Sequence, residues 1–411
     1  MHYLQPVIAV IKRINNNNGD FFVIRSPEDA APKSTLYVFR RNDYNREAMM
    51  QQKGKVTAMA KSLTYHDQEN IENTKRLREV IRDLPPFCTD FFHGIEPRTS
   101  ARTRLAYGYD LKTFFEYLQK ENPVIAKKAL RDLTISVLDE ITLPDLEEYM
   151  EYLKCYSTGS REDVTNTERG IMRKVSSLKS FYNFFYRRES IRTNPAELVQ
   201  LPKIHEKEII RLEVDEVARF LDEVERGEHM TERQKLFHEK TKIRDLAMMT
   251  LMLGTGIRVS ECVGINLDDV DFHNGGIRIH RKGGKEVIIY FGMEVEDALR
   301  DYMDERAGIT PEPGHENALF LSLQNKRINV RSVENMVKKY ARIVTPLKKI
   351  TPHKLRSTYG TNLYRETGDI YLVADVLGHA DVNTTKKHYA ALEDERRRSA
   401  RNKVRLRRED D

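Results

Sequence analysis

The chain has 411 residues, which is enough for about two or three domains. Its net charge of +6 and its 32% charged residues are compatible with a nucleic-acid partner but do not establish one. Three widely separated cysteines, Cys88, Cys155 and Cys262, argue against a zinc site or a disulfide framework, and no apolar run is long enough for a membrane span.

Residues 1–83 form an N-terminal region with two strand-like runs, 21–24 and 36–39. A polar stretch, 66–84, is predicted to be helical and to end at Pro85 and Pro86, where a helix cannot easily continue. We predict an accessory region here.

Residues 84–200 are predicted to be helical throughout, because apolar residues recur there at helical spacing. Thr142 is suited to cap a helix start. The last long helix carries four basic residues, which fit either a DNA-contacting face or an ordinary solvated face: Lys174, Lys179, Arg187 and Arg188. Residues 201–211 are charged, follow Pro195 and are predicted to be a linker.

Residues 212–395 are predicted to mix helices with a small sheet. A strongly apolar helix, 243–253, should stop at Gly254 and Gly256. Two strands, 277–280 and 287–291, should pair around the Gly283-Gly284 turn, and 319–321 is a candidate third strand. Further helices are expected near 330–342, 352–366, 370–377 and 383–392. The predicted fold class is therefore mainly α with a small antiparallel sheet (α+β).

Four short stretches of this second half carry residues suited to phosphate chemistry. Arg258 lies at a loop-to-helix junction, where a guanidinium and a helix N-terminus both favour an anion, and Glu261 lies one turn further on. Lys282 lies in the predicted hairpin turn. His353 and Arg356 are three residues apart and so share a helix face.

The fourth stretch runs from Gly378, which should end a helix, through His379 to Tyr389 on a new helix. Any one of these stretches alone is more often structural than catalytic. Their order and separations are informative: 24 residues from Arg258 to Lys282, 23 from Arg356 to His379, and 10 from His379 to Tyr389.

The complete set resembles the tyrosine recombinase, or phage integrase, family over roughly residues 84–395. The resemblance rests on the Thr-Gly-Ile-Arg-Val-Ser-Glu, His-x-x-Arg and Leu-Gly-His strings and on the later tyrosine. It implies a helical core-DNA-binding domain (84–200), a mixed catalytic domain (212–395) and a basic tail (396–411).

The resemblance also implies a role for each matching residue. Arg258 and Arg356 would clamp the scissile phosphate, with Glu261 as a supporting acid. His353 and His379 would hydrogen-bond the nonbridging oxygens of the phosphate or assist proton transfer.

Tyr389 would be the nucleophile, and Lys282 would protonate the leaving 5′ oxygen, with Lys285 as the alternative lysine. A phosphotyrosine ester keeps the energy of the broken bond, so no ATP, metal or other cofactor is expected. The sequence agrees, because no group of Asp, Glu or Cys with metal-ligand spacing accompanies the motifs.

As partners, the resemblance implies double-stranded DNA with specific core sites, a synaptic tetramer on that DNA, and DNA-bending or directionality proteins as optional accessories. Lys174, Lys179, Arg187 and Arg188 are the expected DNA contacts of the helical domain. Residues 1–83 would either grip accessory arm sites or serve as a helper or dimerisation segment. The tail would either pack on a neighbouring protomer or remain solvated. The lysine-rich, cysteine-poor composition, without a signal peptide, predicts a cytoplasmic protein that joins the nucleoid when it binds DNA.

Two competing functions remain at this point. A type IB topoisomerase uses similar chemistry without partner sites, but the compact Leu-Gly-His string and the preceding helical domain favour a recombinase. A non-catalytic DNA-binding regulator built on the same fold would be expected to lack a key residue, and none is missing here.

Overall fold

The computed structural model describes residues 10–16, 19–25, 38–40, 64–123, 125–158, 161–203, 210–281, 285–379 and 382. The chain divides into two compact units, Met1–Thr64 and Tyr65–Asp411. Within the described ranges, no helix combines the length and apolarity needed to cross a bilayer.

The first unit contains a three-stranded antiparallel sheet in the order β1-β2-β3. Its strands are β1 (Val10–Asn16), β2 (Gly19–Arg25) and β3 (Val38–Arg40). The sequence predicted β2 and β3 at nearly these positions but missed β1. The asparagines at the end of β1 form a polar run that gives no strand signal in the sequence, although β1 pairs with β2 along its whole length.

Among its described residues, the second unit begins with seven α-helices and one hairpin. The helices are α1 (Tyr65–Arg82), α2 (Cys88–Ile95), α3 (Ala101–Glu121), α4 (Val137–Glu140), α5 (Leu143–Tyr152), α6 (Glu168–Tyr186) and α7 (Pro195–Leu198). The prediction of an entirely helical segment was wrong between α5 and α6. Two short antiparallel strands lie there, β4 (Cys155–Thr158) and β5 (Arg161–Thr165). Because these strands are polar, they show no hydrophobic periodicity from which they could have been predicted.

Aromatic side chains fill the core of this helical part. Phe181 of α6 lies edge-on to Phe91 of α2, with ring centroids 5.1 Å apart, and to Phe115 of α3 at 6.2 Å. Helix α1 packs on α3 and buries Leu77 and Val80 in the same core. The first compact unit therefore ends before α1, nearer to residue 64 than to the predicted residue 83.

The rest of the unit surrounds a small antiparallel sheet of order β6-β7-β8. Its strands are β6 (Val270–Asp271), β7 (Gly276–His280) and β8 (Glu286–Tyr290). Its helices are α8 (Val214–Arg226), α9 (Glu232–His238), α10 (Lys242–Thr255), α11 (Val259–Gly264), α12 (Met293–Ala307), α13 (Val330–Val344), α14 (Pro352–Thr367) and α15 (Ile370–Leu377).

These elements confirm the predicted mainly helical fold class with a small antiparallel sheet. The predicted β7–β8 hairpin forms, with His280 opposite Glu286 at the end nearest the turn. Among the residues that the structure describes, the candidate strand at 319–321 forms no ladder, and Leu321 makes an isolated bridge to Arg327. The helix predicted at 383–392 lies outside the described residues.

Helix α10 is the centre of this second core, packed against α8, α12 and α14. Its Met248 and Leu251 are fully buried. It ends at Gly256, whose φ of +63° is a left-handed conformation that glycine adopts without steric cost. The chain therefore turns sharply at a fixed point, two residues before Arg258.

Candidate active site

Arg258 is the N-cap residue of α11 and is held by Glu261, one turn into that helix. The Arg258 backbone N–H donates to Glu261 Oε2 at 2.9 Å, and its Nη1 donates to Oε1 at 2.8 Å. The Glu261 side chain is 3% exposed, whereas that of Arg258 is 39% exposed. The buried carboxylate thus orients a guanidinium that still reaches solvent, as the sequence spacing predicted.

Arg356 is buried on α14 and is anchored by main-chain carbonyls. Its Nη1 donates to the Gly256 carbonyl at 2.6 Å, and its Nη2 donates to the Leu377 carbonyl. His353, one turn earlier on the same helix, is exposed. One helix therefore carries a buried guanidinium and an exposed imidazole. The three-residue spacing predicted only that the two side chains share a helix face.

Three arginines from distant segments converge on three successive carbonyls at the C-terminal end of α15. Arg281 Nη2 donates to Val376 at 2.9 Å, Arg356 Nη2 donates to Leu377, and Arg258 Nη2 donates to Gly378 at 3.1 Å. A helix C-terminus carries partial negative charge and free carbonyls, so it suits such a cluster of cations. Arg258 and Arg356, 98 residues apart in sequence, are thereby brought to one turn of the chain.

Arg281 is the member of this cluster that sequence reasoning missed. Its backbone N–H donates to the Lys285 carbonyl at 2.8 Å, and this bond closes the turn between β7 and β8. Its guanidinium lies over Gly378, where an added Cβ would be 2.5 Å from Cζ. Its Nε is buried without a hydrogen-bond partner among the described residues. The only available signal was its position next to Lys282, which itself lies outside the described residues.

His379 follows the same turn and is partly exposed. Gly378 has a φ of +59°, and the His379 backbone N–H donates to the Ala374 carbonyl at 2.9 Å. His379 therefore leaves α15 directly beside the arginine cluster. Tyr389, the predicted nucleophile, lies outside the described residues.

The basic helix α6 does not present all four predicted residues to solvent. Lys174 is 8% exposed, and its Nζ is 3.4 Å from Oδ1 of the buried Asp110 on α3. Lys179 is partly buried and donates to the Val199 carbonyl at 2.8 Å. The expectation that Lys174 contacts DNA is therefore corrected, because this ammonium is committed to a buried carboxylate.

The two remaining basic residues, Arg187 and Arg188, are exposed and line an open cleft of about 360 Å³ together with Arg98. The Arg188 guanidinium stacks over the Phe184 ring, 4.2 Å from its centroid. An arginine supported in this way keeps its donors available to an anion. This end of α6 therefore has the charge that a DNA backbone requires.

Comparison with known proteins places these features in a family. Residues 211–396 match the phage integrase family. The tyrosine recombinase XerC of Caldanaerobacter subterraneus subsp. tengcongensis is 34% identical over 333 residues, covering 78% of this chain and 86% of that protein. The tyrosine recombinase XerS of Lactococcus lactis subsp. cremoris is 28% identical over 369 residues, covering 80% and 98%.

Two solved structures share the fold. The XerH site-specific recombinase bound to palindromic difH substrate has a TM-score of 0.55 and 19% identity, covering 73% of this chain and 80% of that chain. The Tn1549 transposon integrase in complex with circular intermediate DNA has a TM-score of 0.54 and 20% identity, covering 76% and 99%. Together with the identity to XerC, the match over residues 211–396 shows that this chain belongs to the tyrosine recombinase, or phage integrase, family of DNA-recombining enzymes.

Proposed function

We propose that the chain cleaves and rejoins DNA strands at specific sites through a covalent 3′-phosphotyrosine intermediate, without metal or ATP. The observation that carries this proposal is the anchoring of Arg258 and Arg356 on adjacent carbonyls at the end of α15. Two guanidinium groups from distant segments are held side by side, next to His379. A single phosphate group is the anion that such a pair fits best.

The arginines would lower the barrier electrostatically. A phosphodiester is anionic and repels a nucleophile, and charge accumulates on its nonbridging oxygens in the transition state. Because Arg258 and Arg356 are already fixed by Glu261 and main-chain carbonyls, little reorganisation is needed when that charge develops. His353 and His379 are proposed to hydrogen-bond the same oxygens or to accept the proton of the attacking phenol.

Tyr389 is the proposed nucleophile. A tyrosine has an ordinary pKa of about 10, so at neutral pH its phenol needs a base or a strongly cationic environment. The Tyr389 Oη–P bond forms as the P–O5′ bond breaks, and Lys282, or alternatively Lys285, gives its proton to O5′. The phosphotyrosine diester keeps the bond energy, so a 5′ hydroxyl from another strand can reverse the step without ATP.

The rest of the chain is proposed to bind and assemble on DNA. The helical segment up to residue 200 would close on the duplex opposite the catalytic segment 212–395, with 201–211 as the linker between them. Arg187 and Arg188 would contact phosphates, which makes binding strongly salt-dependent. The same proposal includes a tetramer on two core sites, contacts of the tail 396–411 with a neighbouring protomer, and an N-terminal region that binds arm sites or mediates dimerisation. It also includes action in the cytoplasm at the nucleoid, with assistance by accessory proteins.

A nicked suicide DNA substrate tests the chemistry. The wild-type chain should form a covalent protein–DNA adduct that Tyr389→Phe abolishes, whereas Tyr371→Phe, which alters an exposed tyrosine on α15, should leave it intact. An adduct that persists in Tyr389→Phe would refute the nucleophile. Exchange of strands between two sites would support a recombinase, and relaxation of supercoils without such exchange would indicate a topoisomerase instead.

A further inference from the structure

Helix α1 joins the helical part of the second unit to the catalytic part. Toward its C-terminal end it packs on α3, where Leu77 and Val80 each come within 3.2 Å of the position that a Cβ on Gly108 would take. Its first two residues, Tyr65 and His66, contact the catalytic part instead. At 1.5 Å per residue, the 18 residues of α1 make a strut of about 27 Å. The two parts are therefore connected by this helix as well as by the chain around residues 201–211.

Tyr65 rests against the end of α11. Its Cδ1 would be 3.4 Å from a Cβ on Gly264, and the Arg327 guanidinium lies 5.9 Å from its ring centroid. Arg327 in turn donates to the Val263 carbonyl at 2.9 Å. Burial raises the pKa of the Tyr65 hydroxyl to about 12, so Tyr65 stays neutral over the physiological range. The start of α1 is thus seated on the helix whose other end carries Arg258.

His66 contacts the catalytic hairpin directly. Its Nε2 lies 3.0 Å from the carbonyl oxygen of His280, the last residue of β7. A carbonyl can only accept, so the imidazole donates from Nε2. The next residue, Arg281, is fixed to the end of α15, and Lys282 follows it. The strand that leads to Lys282 is therefore held from α1 at His280 and from α15 at Arg281.

We propose that His66 is a positioning residue for this hairpin. It ties the end of β7 to a helix seated in the helical part, and so places Lys282 to protonate the leaving 5′ oxygen. The inference rests on the proposed function, which gives Lys282 that role. It assigns to the start of α1 a direct effect on one particular step, the transfer of a proton from the Lys282 ammonium to O5′ as the P–O5′ bond breaks.

A sulfur-substituted DNA substrate isolates that step. When a bridging sulfur replaces O5′ at the scissile phosphate, the P–S bond breaks and a thiolate leaves. A thiol has a pKa of about 8.5, far below the pKa of an alcohol, so the thiolate leaves without a proton donor. A variant that is slow because Lys282 is misplaced should recover on this substrate. A variant that is slow because the fold or the phosphate clamp is damaged should not.

The rate of adduct formation by the full chain is measured on both substrates. His66→Ala should be slower by about tenfold on ordinary DNA, equivalent to about 1.4 kcal/mol, and should recover to within about twofold of wild type on sulfur DNA. His66→Gln, which keeps a donor at the end of its side chain, should restore most of the rate on ordinary DNA. Glu79→Gln, an exposed change on the same helix, is the matched control. Arg356→Ala should stay slow on both substrates.

Each other outcome has a distinct meaning. Wild-type cleavage of ordinary DNA by His66→Ala, or an equal defect on both substrates, overturns the role of His66. Lys282→Ala, measured beside it, tests the proposed function separately. If Lys282→Ala recovers on sulfur DNA and His66→Ala does not, only the inference about His66 fails. If Lys282→Ala stays slow on sulfur DNA, the assignment of Lys282 as the acid fails.

Discussion

Replacement of Gly378 by alanine should damage the turn on which the arginine cluster is assembled. Gly378 has a φ of +59°, a left-handed conformation that alanine adopts only with strain. The new Cβ would also fall on the Arg281 guanidinium, 2.5 Å from its Cζ, so this group must move. Moving it breaks the hydrogen bond from Arg281 to the Val376 carbonyl.

The two effects can be separated by magnitude. The left-handed conformation costs alanine about 1–2 kcal/mol. A lost hydrogen bond from a charged group costs about 1.5–3 kcal/mol more, so Gly378→Ala should lower the free energy of unfolding by about 2.5–5 kcal/mol. Gly314 also has a left-handed φ, +86°, but a Cβ there would meet nothing within 4 Å. Gly314→Ala should therefore show the conformational cost alone.

Urea unfolding of the two variants measures this difference, and a double-mutant cycle with Arg281→Ala identifies its source. With the guanidinium removed, the cost of Gly378→Ala should fall to about that of Gly314→Ala, 1–2 kcal/mol. This account of the turn would be refuted if both glycine variants lost the same free energy of unfolding. It would also be refuted if the loss caused by Gly378→Ala did not change in the Arg281→Ala background.

Three further predictions concern charged groups. Arg258→Ala should abolish adduct formation, through the loss of several kcal/mol of transition-state stabilisation, while DNA affinity in a filter-binding assay stays largely intact; normal cleavage would overturn its assignment. Asp110→Ala should lower the free energy of unfolding by about 3 kcal/mol, because it leaves the Lys174 ammonium buried without its carboxylate; a loss below about 1 kcal/mol in urea unfolding would contradict this. Glu223 raises the pKa of His229 by hydrogen bonding and charge, so this contact should stabilise the fold below the ordinary pKa and be lost as pH rises through the raised one. The gap in melting temperature between wild type and His229→Gln should therefore be larger at about pH 5.5 than at about pH 9, and a gap that widens with pH would show the opposite linkage.

Features that depend on neighbouring residues were predictable from the sequence. Gly256 ends α10, Thr142 caps α5 together with Asp145, and the hairpin strands pair as expected around the predicted turn. In each case a glycine, a hydroxyl or an apolar alternation determines the backbone within a few residues. The same locality applies to the pair formed by Arg258 and Glu261.

Features that depend on distant contacts were not predictable in this way. Lys174 was expected on a solvent-exposed face because its own helix is basic, but its environment is determined by Asp110, 64 residues earlier. The role of Arg281 depends on a carbonyl 95 residues later. Helical periodicity likewise said nothing about which neighbour α1 would pack against. The order of the motifs predicted candidate residues for the site, and only the fold could show how Arg258 and Arg356 are anchored.

The convergence on the end of α15 has a consequence for biosynthesis. All three arginines precede residues 376–378 in the chain, so on the ribosome they emerge before the carbonyls that hold them. Until α15 docks, the guanidinium groups lack their common support. A polypeptide that has not yet reached residue 378 therefore cannot hold Arg258 and Arg356 at a fixed separation. The ability to cut DNA should arise abruptly, late in translation, rather than increase gradually with chain length.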